Sequence, residues 1–257
     1  MKQFLLILGW ILATTLTASA QSSFFFAHVL NGVLGTVSWK TTIFLTNTGS
    51  SGTATGAITF TQDNTNSTSA GSAWPIALMD ETGFTTTSST FTFSLPAGAT
   101  RKWVATSPGG LISGFANVTT NAGTVSGTAI FSEFDSAENL IGEAGVPSSS
   151  AVARQSIFVD TAARYSVGVA FANPGNAIAN ITLTLLDSSG VAVSTPVTRT
   201  LGPGNHTQLF TSQLFPGVTQ PSVGTLQFAS SAPLIIIALR FDPSLSKFTT
   251  LPPVTLQ

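Results

Sequence analysis

The sequence predicts an all-β protein made of two tandem immunoglobulin-like β-sandwich domains, related by internal duplication and preceded by a signal peptide. Three observations lead to this prediction. Short segments alternate apolar residues with small or polar ones, Gly and Pro turns end these segments, and several blocks of sequence occur twice in the same order. Helical periodicity is almost missing, so a sandwich is favoured over helical or βαβ architectures.

The first 20 residues have the composition of a secretory signal peptide. Lys2 is followed by an apolar run over residues 4–16 and by the small-residue cleavage site Ala18-Ser-Ala20. The run is shorter than the about 20 residues that a membrane span needs. An uncleaved membrane anchor is the less favoured alternative. We therefore expect a mature chain that begins at Gln21 and is exported.

Strand signals continue through the rest of the chain. The run over residues 234–239 is continuously apolar, which indicates a central strand covered on both faces. Residues 211–215 favour a single helical turn. In three segments apolar residues recur at every second position, which places them on one face of a sheet. These residues are Ile58 and Phe60 in the first segment, Val167, Val169 and Phe171 in the second, and Ile181, Leu183 and Leu185 in the third.

The repeated blocks predict two domains, at residues 24–147 and 152–257, joined by a short polar linker over residues 147–150. Matched blocks keep their order along the chain, as expected of two copies that differ in loop length. The matched pairs are Trp39 to Gly49 with Tyr165 to Gly175, Ile58 to Thr61 with Ile181 to Thr184, Leu95 to Gly98 with Leu201 to Gly204, Glu133 to Asp135 with Arg240 to Asp242, and Val146-Pro147 with Leu251-Pro252.

The first copy carries an insertion over about residues 64–89. The separation between Phe60 and Leu95 is 35 residues, against 18 between the matched Leu183 and Leu201. A long loop on a rigid sandwich is a common place for binding. The candidate ligand-binding residues are Trp74, Asp80, Glu81 and Phe84. The favoured alternative is an extra hairpin that caps the sheet edge and buries Trp74 and Phe84.

Turn and strand blocks of the second copy resemble those of uncharacterised tandem β-sandwich proteins secreted by soil bacteria. These blocks are Ala172 to Gly175, Ile181 to Leu185, Leu201 to His206, Leu214 to Gly217, Gly224-Thr-Leu and Ala238-Leu-Arg240. The resemblance covers most of residues 24–252. It implies an exported pair of sandwiches and identifies no catalytic residue.

Composition narrows the classes of partner. Charged residues make up 7% of the chain, and the formal charge of −1 becomes about −2 when Lys2 is removed. No basic field exists to attract nucleic acid or an anionic membrane, so we expect neither nucleic-acid binding nor membrane insertion of the mature chain. Cysteine is absent, so the fold depends on packing without disulfides. We expect a secreted, extracellular protein of bacterial type, with periplasmic retention as the alternative.

Residues for nucleophilic catalysis are sparse, and we predict that the protein is not an enzyme. Ser113 and Ser126 lack the G-x-S-x-G frame of a nucleophile elbow. The only possible bases of histidine type are His28 and His206, and each is expected to be an ordinary turn or surface residue.

Four acidic residues before the linker suggest a calcium hypothesis. Oxygen ligands suit Ca²⁺, which could stiffen the junction between domains. The favoured alternative is a solvated acidic connection, and no other cofactor is expected. The four residues are Glu133, Asp135, Glu138 and Glu143.

The sequence therefore predicts a non-catalytic exported structural or interaction protein, a cell-surface or extracellular binding or adhesion scaffold. Its partner would be a protein or glycan at the cell surface or in the matrix. One alternative is a carbohydrate-binding module that uses Trp74, Phe84 or Trp103. A less favoured alternative is a glycosidase-like hydrolase that uses Asp80 or Glu81 as a carboxylate. The ligand and the oligomeric state do not follow from the sequence.

Overall fold

A computed structural model describes residues 22–106 and 109–257. The protein is all-β, with 63% of residues in strands and 3% in helices, and its sheets pack face to face. The predicted signal peptide lies outside the described residues. None of the helices in the described part of the chain is both long and apolar enough to cross a membrane.

The first half of the chain, residues 22–147, forms a sandwich of two layers. One layer has the strand order β7-β3-β9-β1, with β4 beside β3, and the other has the order β11-β10-β2-β8-β5-β6. The strands are β1 (Ser22–Leu34), β2 (Val37–Asn47), β3 (Ala54–Gln62), β4 (Ser72–Ala73), β5 (Ile76–Asp80), β6 (Thr85–Ser88), β7 (Thr90–Leu95), β8 (Thr100–Ala105), β9 (Ile112–Ala122), β10 (Val125–Phe134) and β11 (Leu140–Pro147).

The second half, residues 152–257, forms layers of order β15-β14-β17-β12-β19 and β18-β17-β13-β16. The 19-residue strand β17 passes from one layer to the other. The predicted helical turn is present as α1 (Thr211–Leu214). The strands are β12 (Val152–Asp160), β13 (Ser166–Ala172), β14 (Ala179–Asp187), β15 (Val197–Leu201), β16 (His206–Phe210), β17 (Val223–Phe241), β18 (Phe248–Leu251) and β19 (Val254–Thr255).

Alternation at period two decides which side chains fill the core. Along β3, Ile58 and Phe60 are fully buried, while Thr55, Thr59 and Thr61 lie on the outward face. Threonine suits such positions, because its β-branched side chain favours extended backbone and its hydroxyl tolerates water. The outward faces are consequently uncharged over much of their area.

The pairings of the first half recur in the second half in the same order. β1 pairs with β9, β2 with β8 and β10, and β3 with β7 and β9. Correspondingly, β12 and β14 pair with the first part of β17, β13 pairs with β16 and the last part of β17, and β14 pairs with β15.

This strand order differs from that of an immunoglobulin domain. There, the sixth and seventh strands are neighbours in one sheet. When the inserted strands β4, β5 and β6 are left out, the sixth and seventh strands here are β9 and β10. They lie in different layers, since β9 pairs with β1 and β3 while β10 pairs with β2 and β11. The β-sandwich character is present, but with a different strand order.

The hydrophobic core of the first half continues into the second half. Its cluster includes Ala170, Ala172, Ile235, Ile237 and Leu239 from β13 and β17. The other faces of the same strands fill a second cluster, through residues such as Val169, Phe171 and Ile236. The prediction that the run over residues 234–239 is covered on both faces is therefore confirmed. The outer face of this layer is therefore buried in the junction between the two halves.

Candidate functional site

A loop of the insertion closes around a turn of the second half. The Asn205 side chain is fully buried, and its Nδ2 lies 3.1 Å from the carbonyl oxygens of Asn66 and Ser69. Its Oδ1 accepts hydrogen bonds from the backbone N–H groups of Asn64 and His206, both at 2.8 Å. One amide side chain thus satisfies several backbone groups of both halves. We call residues 64–71 with residues 202–205 the clasp.

Two glycines let the backbones of the clasp approach each other. The Gly202 N–H donates to the Ser67 carbonyl at 2.7 Å, and the Gly71 N–H donates to the Pro203 carbonyl at 3.0 Å. A Cβ atom on Gly71 would lie 1.9 Å from the Gly204 carbonyl oxygen, and one on Gly202 would lie 2.1 Å from that of Ser69. Any larger residue at either position must separate the two backbones.

Both histidines lie in this junction, so their predicted placement as turn or surface residues is wrong. His28 on β1 is 4% exposed and His206 on β16 is 1% exposed. Nδ1 of His28 lies 3.1 Å from Nε2 of His206, and the two rings are nearly parallel, with an angle of 14° between their planes and centroids 5.2 Å apart. No local pattern in the sequence indicates this pairing, because the two residues belong to different halves and meet only when these pack together.

Asp63 and Ser113 extend the histidine pair into a polar chain. Asp63 Oδ2 lies 3.8 Å from Nδ1 of His206 and accepts a hydrogen bond from the Ser113 hydroxyl. The first distance exceeds that of a hydrogen bond, and Nδ1 of His206 has no hydrogen-bond partner among the described residues. The carboxylate therefore acts on His206 mainly through its charge.

The environment keeps the two imidazoles neutral. Burial lowers the pKa of His28 well below its ordinary value, and the neighbouring His206 lowers it further. Burial also lowers the pKa of His206, against the opposing influence of Asp63. Burial would raise the pKa of Asp63, but contact with His206 and Ser113 outweighs burial and lowers that pKa. A neutral pair suits the geometry, since only one of the two facing nitrogens can carry a proton.

This arrangement does not resemble a hydrolytic triad. A triad needs the hydroxyl beside the imidazole, so that histidine can take its proton. Here the Ser113 hydroxyl bonds to the Asp63 carboxylate. The pair also lacks a third metal ligand, since no group of three or more His, Cys, Asp or Glu side chains placed to hold a metal occurs in residues 22–106 and 109–257.

The insertion forms a hairpin that extends a sheet. β5 and β6 pair with each other, and β5 continues the layer through β8. Trp74 is 2% exposed and packs edge-on against Phe60, whereas Phe84 is 69% exposed at the hairpin turn. The two aromatic residues therefore share no surface. Trp103 is also buried.

Asp80 and Glu81 hold the base of the hairpin turn. Asp80 Oδ1 accepts hydrogen bonds from the N–H and the hydroxyl of Thr82 and from the Phe84 N–H. Arg101 lies 3.2 Å from Asp80 Oδ2 and 3.1 Å from Glu81 Oε1. The Thr82 hydroxyl is the largest influence lowering the pKa of Asp80, helped by backbone N–H groups and Arg101 against partial desolvation. A general acid needs the opposite shift.

A groove of about 280 Å³ lies beside this turn. It combines an exposed aromatic ring, a carboxylate, a guanidinium group and several hydroxyls, contributed by Phe84, Asp80, Arg101, Thr86, Ser88 and Thr90. Of the four sequence candidates, only Asp80 and Phe84 line the groove. Glu81 braces Arg101, and Trp74 belongs to the core.

The four acidic residues of the calcium hypothesis make separate contacts. Asp135 accepts hydrogen bonds from its own turn, at the N–H groups of Ala137 and Asn139. Glu138 pairs with Lys40, and Glu143 accepts a hydrogen bond from Ser132. Glu133 is buried, its Oε2 has no hydrogen-bond partner among the described residues, and burial raises its pKa.

The comparisons with known proteins add no identity. No protein-family model matches the chain, and no curated protein matches it either.

Proposed function

We propose that this protein is a non-catalytic, exported interaction protein that presents the groove of the inserted hairpin to a partner at the cell surface or in the matrix. The observation that carries the proposal is the exposed ring of Phe84 at a braced turn. An exposed aromatic residue beside polar groups is typical of binding surfaces. The Asp80–Arg101 pair holds this turn before any partner arrives, which lowers the entropy cost of binding.

The two halves are proposed to be copies of one sandwich module, at residues 24–147 and 152–257, resembling the tandem modules secreted by soil bacteria. The buried amides of Asn47 and Asn173 support this, since they make equivalent bonds. Asn47 donates to the carbonyls of Gly52 and Leu95, and Asn173 donates to those of Ala177 and Leu201. Each Oδ1 accepts the N–H group two residues later.

Export through a cleaved signal peptide at residues 1–20 belongs to the same proposal. Its support is the composition of that segment, with Lys2, the apolar run and the small-residue cleavage site. Expression with the full sequence, followed by N-terminal sequencing of the secreted protein, tests it. A mature chain that begins at Gln21 is expected, and retention of Met1 in the exported protein contradicts the proposal.

The interaction proposal is tested with immobilised protein and fractions of cell envelope and extracellular matrix. The variant Phe84→Ala is expected to lose most partner recovery, because it removes the exposed ring without touching the core. Val191→Ala is the matched control, since Val191 is an apolar residue of the second half with 61% exposure. Equal recovery by Phe84→Ala and the control would contradict the proposal.

A glycan is the second candidate partner, and the composition of the groove favours it. Sugars stack on aromatic faces and exchange hydrogen bonds with carboxylate, guanidinium and hydroxyl groups, all of which meet here. A glycan array with the wild-type protein and Phe84→Ala tests this. Specific signals that the variant loses support a glycan, and silence on the array leaves a protein partner as the proposal.

A further inference from the structure

A second cavity, of about 280 Å³, lies between the two halves. Strands β1, β2 and β10 of the first half form one wall, through residues such as His28, Trp39 and Phe131. Strands β13, β16 and β17 of the second half form the other. Junctions between packed units are common places for small-molecule sites.

Small residues on β13 create this space. Gly168 and Ala170 lie on its floor, between the larger side chains of Phe210 and Leu239. In the first half, the matched outward positions carry Thr42 and Phe44. A Cβ atom on Gly168 would already lie 3.2 Å from the Phe241 ring. The volume of the cavity therefore depends on the small side chains at positions 168 and 170 of β13.

The lining selects an uncharged, mostly apolar molecule. None of the described lining residues is Asp, Glu, Lys or Arg, and the polar ones are His28, Gln208 and Gln213. A charged ligand would lose its hydration without gaining an ion pair, which is costly. Gln208 and Gln213 are exposed at the mouth, whereas His28 is buried at the inner end.

The polar chain behind His28 decides which hydrogen bond it offers. The Asp63 carboxylate favours a proton on the nearby Nδ1 of His206. Nε2 of His206 then accepts a hydrogen bond from Nδ1 of His28, at 3.1 Å. Since a neutral imidazole carries one proton, Nε2 of His28 is left as an acceptor. A ligand hydroxyl is the group that would donate a hydrogen bond to this nitrogen.

We propose that the junction cavity binds a small uncharged molecule, mostly apolar, whose hydroxyl donates a hydrogen bond to Nε2 of His28. A cavity of about 150 Å³ holds one benzene molecule, so this space suits a molecule of roughly two rings. The site is separate from the groove at Phe84, and its occupation does not depend on the interaction proposed for that groove.

Calorimetric titration with three probes at neutral pH tests the proposal. 1-Naphthol is expected to bind, naphthalene about tenfold more weakly because it lacks the hydroxyl, and 1-naphthalenesulfonate not at all. Absence of 1-naphthol binding, or equal affinity for naphthalene, would overturn the proposal.

Three variants locate the site. Ala170→Leu fills the floor and is expected to abolish binding of 1-naphthol and naphthalene. His28→Phe keeps a ring but removes the acceptor, so its affinity for 1-naphthol should fall to that for naphthalene. Unchanged naphthalene binding by this variant shows that the cavity is intact. Phe84→Ala, at the other groove, should bind all probes as the wild type does. Full 1-naphthol binding by Ala170→Leu or His28→Phe would show that the probe sits elsewhere.

Discussion

At the residue scale, burial of two histidines makes stability depend on pH. His28 and His206 have pKa values below the ordinary 6.5 of the unfolded chain. Below that pH the unfolded state binds more protons than the folded state, so stability decreases as the pH falls. The contribution is fully present above 6.5 and is lost progressively under acid. The lowered pKa of Asp63 acts in the same direction at lower pH.

We therefore expect the free energy of unfolding to fall as the pH decreases below 6.5, by up to about 1.4 kcal/mol per pH unit for each histidine. Urea titrations at several pH values measure the slope. The variant His28→Phe should lose about half of it, because one titrating group is removed. A pH-independent stability in the wild type would contradict the burial of a neutral pair.

Glu133 has a buried carboxylate oxygen with no hydrogen-bond partner in residues 22–106 and 109–257, and burial raises its pKa. We expect Glu133→Gln to raise the free energy of unfolding at neutral pH by about 1 kcal/mol, since an unpaired buried charge is replaced by a neutral amide. Denaturant titration checks the change. Glu143→Gln, on the facing strand and exposed, is the control with little expected effect. Destabilisation by Glu133→Gln would indicate that the carboxylate has a stabilising partner.

At the element scale, the clasp requires glycine where two loop backbones meet. Gly202→Ala places a Cβ atom 2.1 Å from the Ser69 carbonyl oxygen, so the loop of residues 64–71 must move away. We expect a loss of about 3 kcal/mol in the free energy of unfolding, together with faster amide hydrogen exchange at Ser69 and Gly71. Gly145→Ala on β11 is the matched control, because its Cβ atom meets nothing within 4 Å. Equal stability of the two variants would contradict the clasp.

At the scale of the whole molecule, the shared core predicts that the two halves unfold together. Trp74 and Trp103 report on the first half and Trp39 on the junction, where it packs against Phe248, while amide exchange of β14 reports on the second half. In urea both signals are expected to change at one midpoint. Two separate midpoints in the wild-type protein would contradict the coupling.

A single charge in the junction should break this coupling. Ile235 is fully buried in the cluster that spans both halves, so Ile235→Asp places an unpaired carboxylate there. We expect a lower midpoint for both signals and a separation between them. Ile178→Asp is the matched control, since Ile178 lies in the same half and is 49% exposed. A coincident transition at the wild-type midpoint in Ile235→Asp would show that the junction contributes little.

The sequence by itself determined the strands, because period-two alternation and Gly and Pro turns are local signals. The all-β class, the helical turn at α1 and the strand buried on both faces followed from those signals. It also placed the insertion between β3 and β7, although it could not say that Trp74 turns inward and Phe84 outward.

Only the tertiary structure decided how the two halves meet. The strand order, the pairing of His28 with His206, the approach of Asp63 and the buried role of Asn205 join residues far apart in the chain. No local pattern encodes such contacts. The closest sequence signal of the junction was the set of small outward residues Gly168, Ala170 and Ala172 on β13. A strand face that is exposed to solvent gains no stability from being apolar, whereas a face packed against another layer gains it.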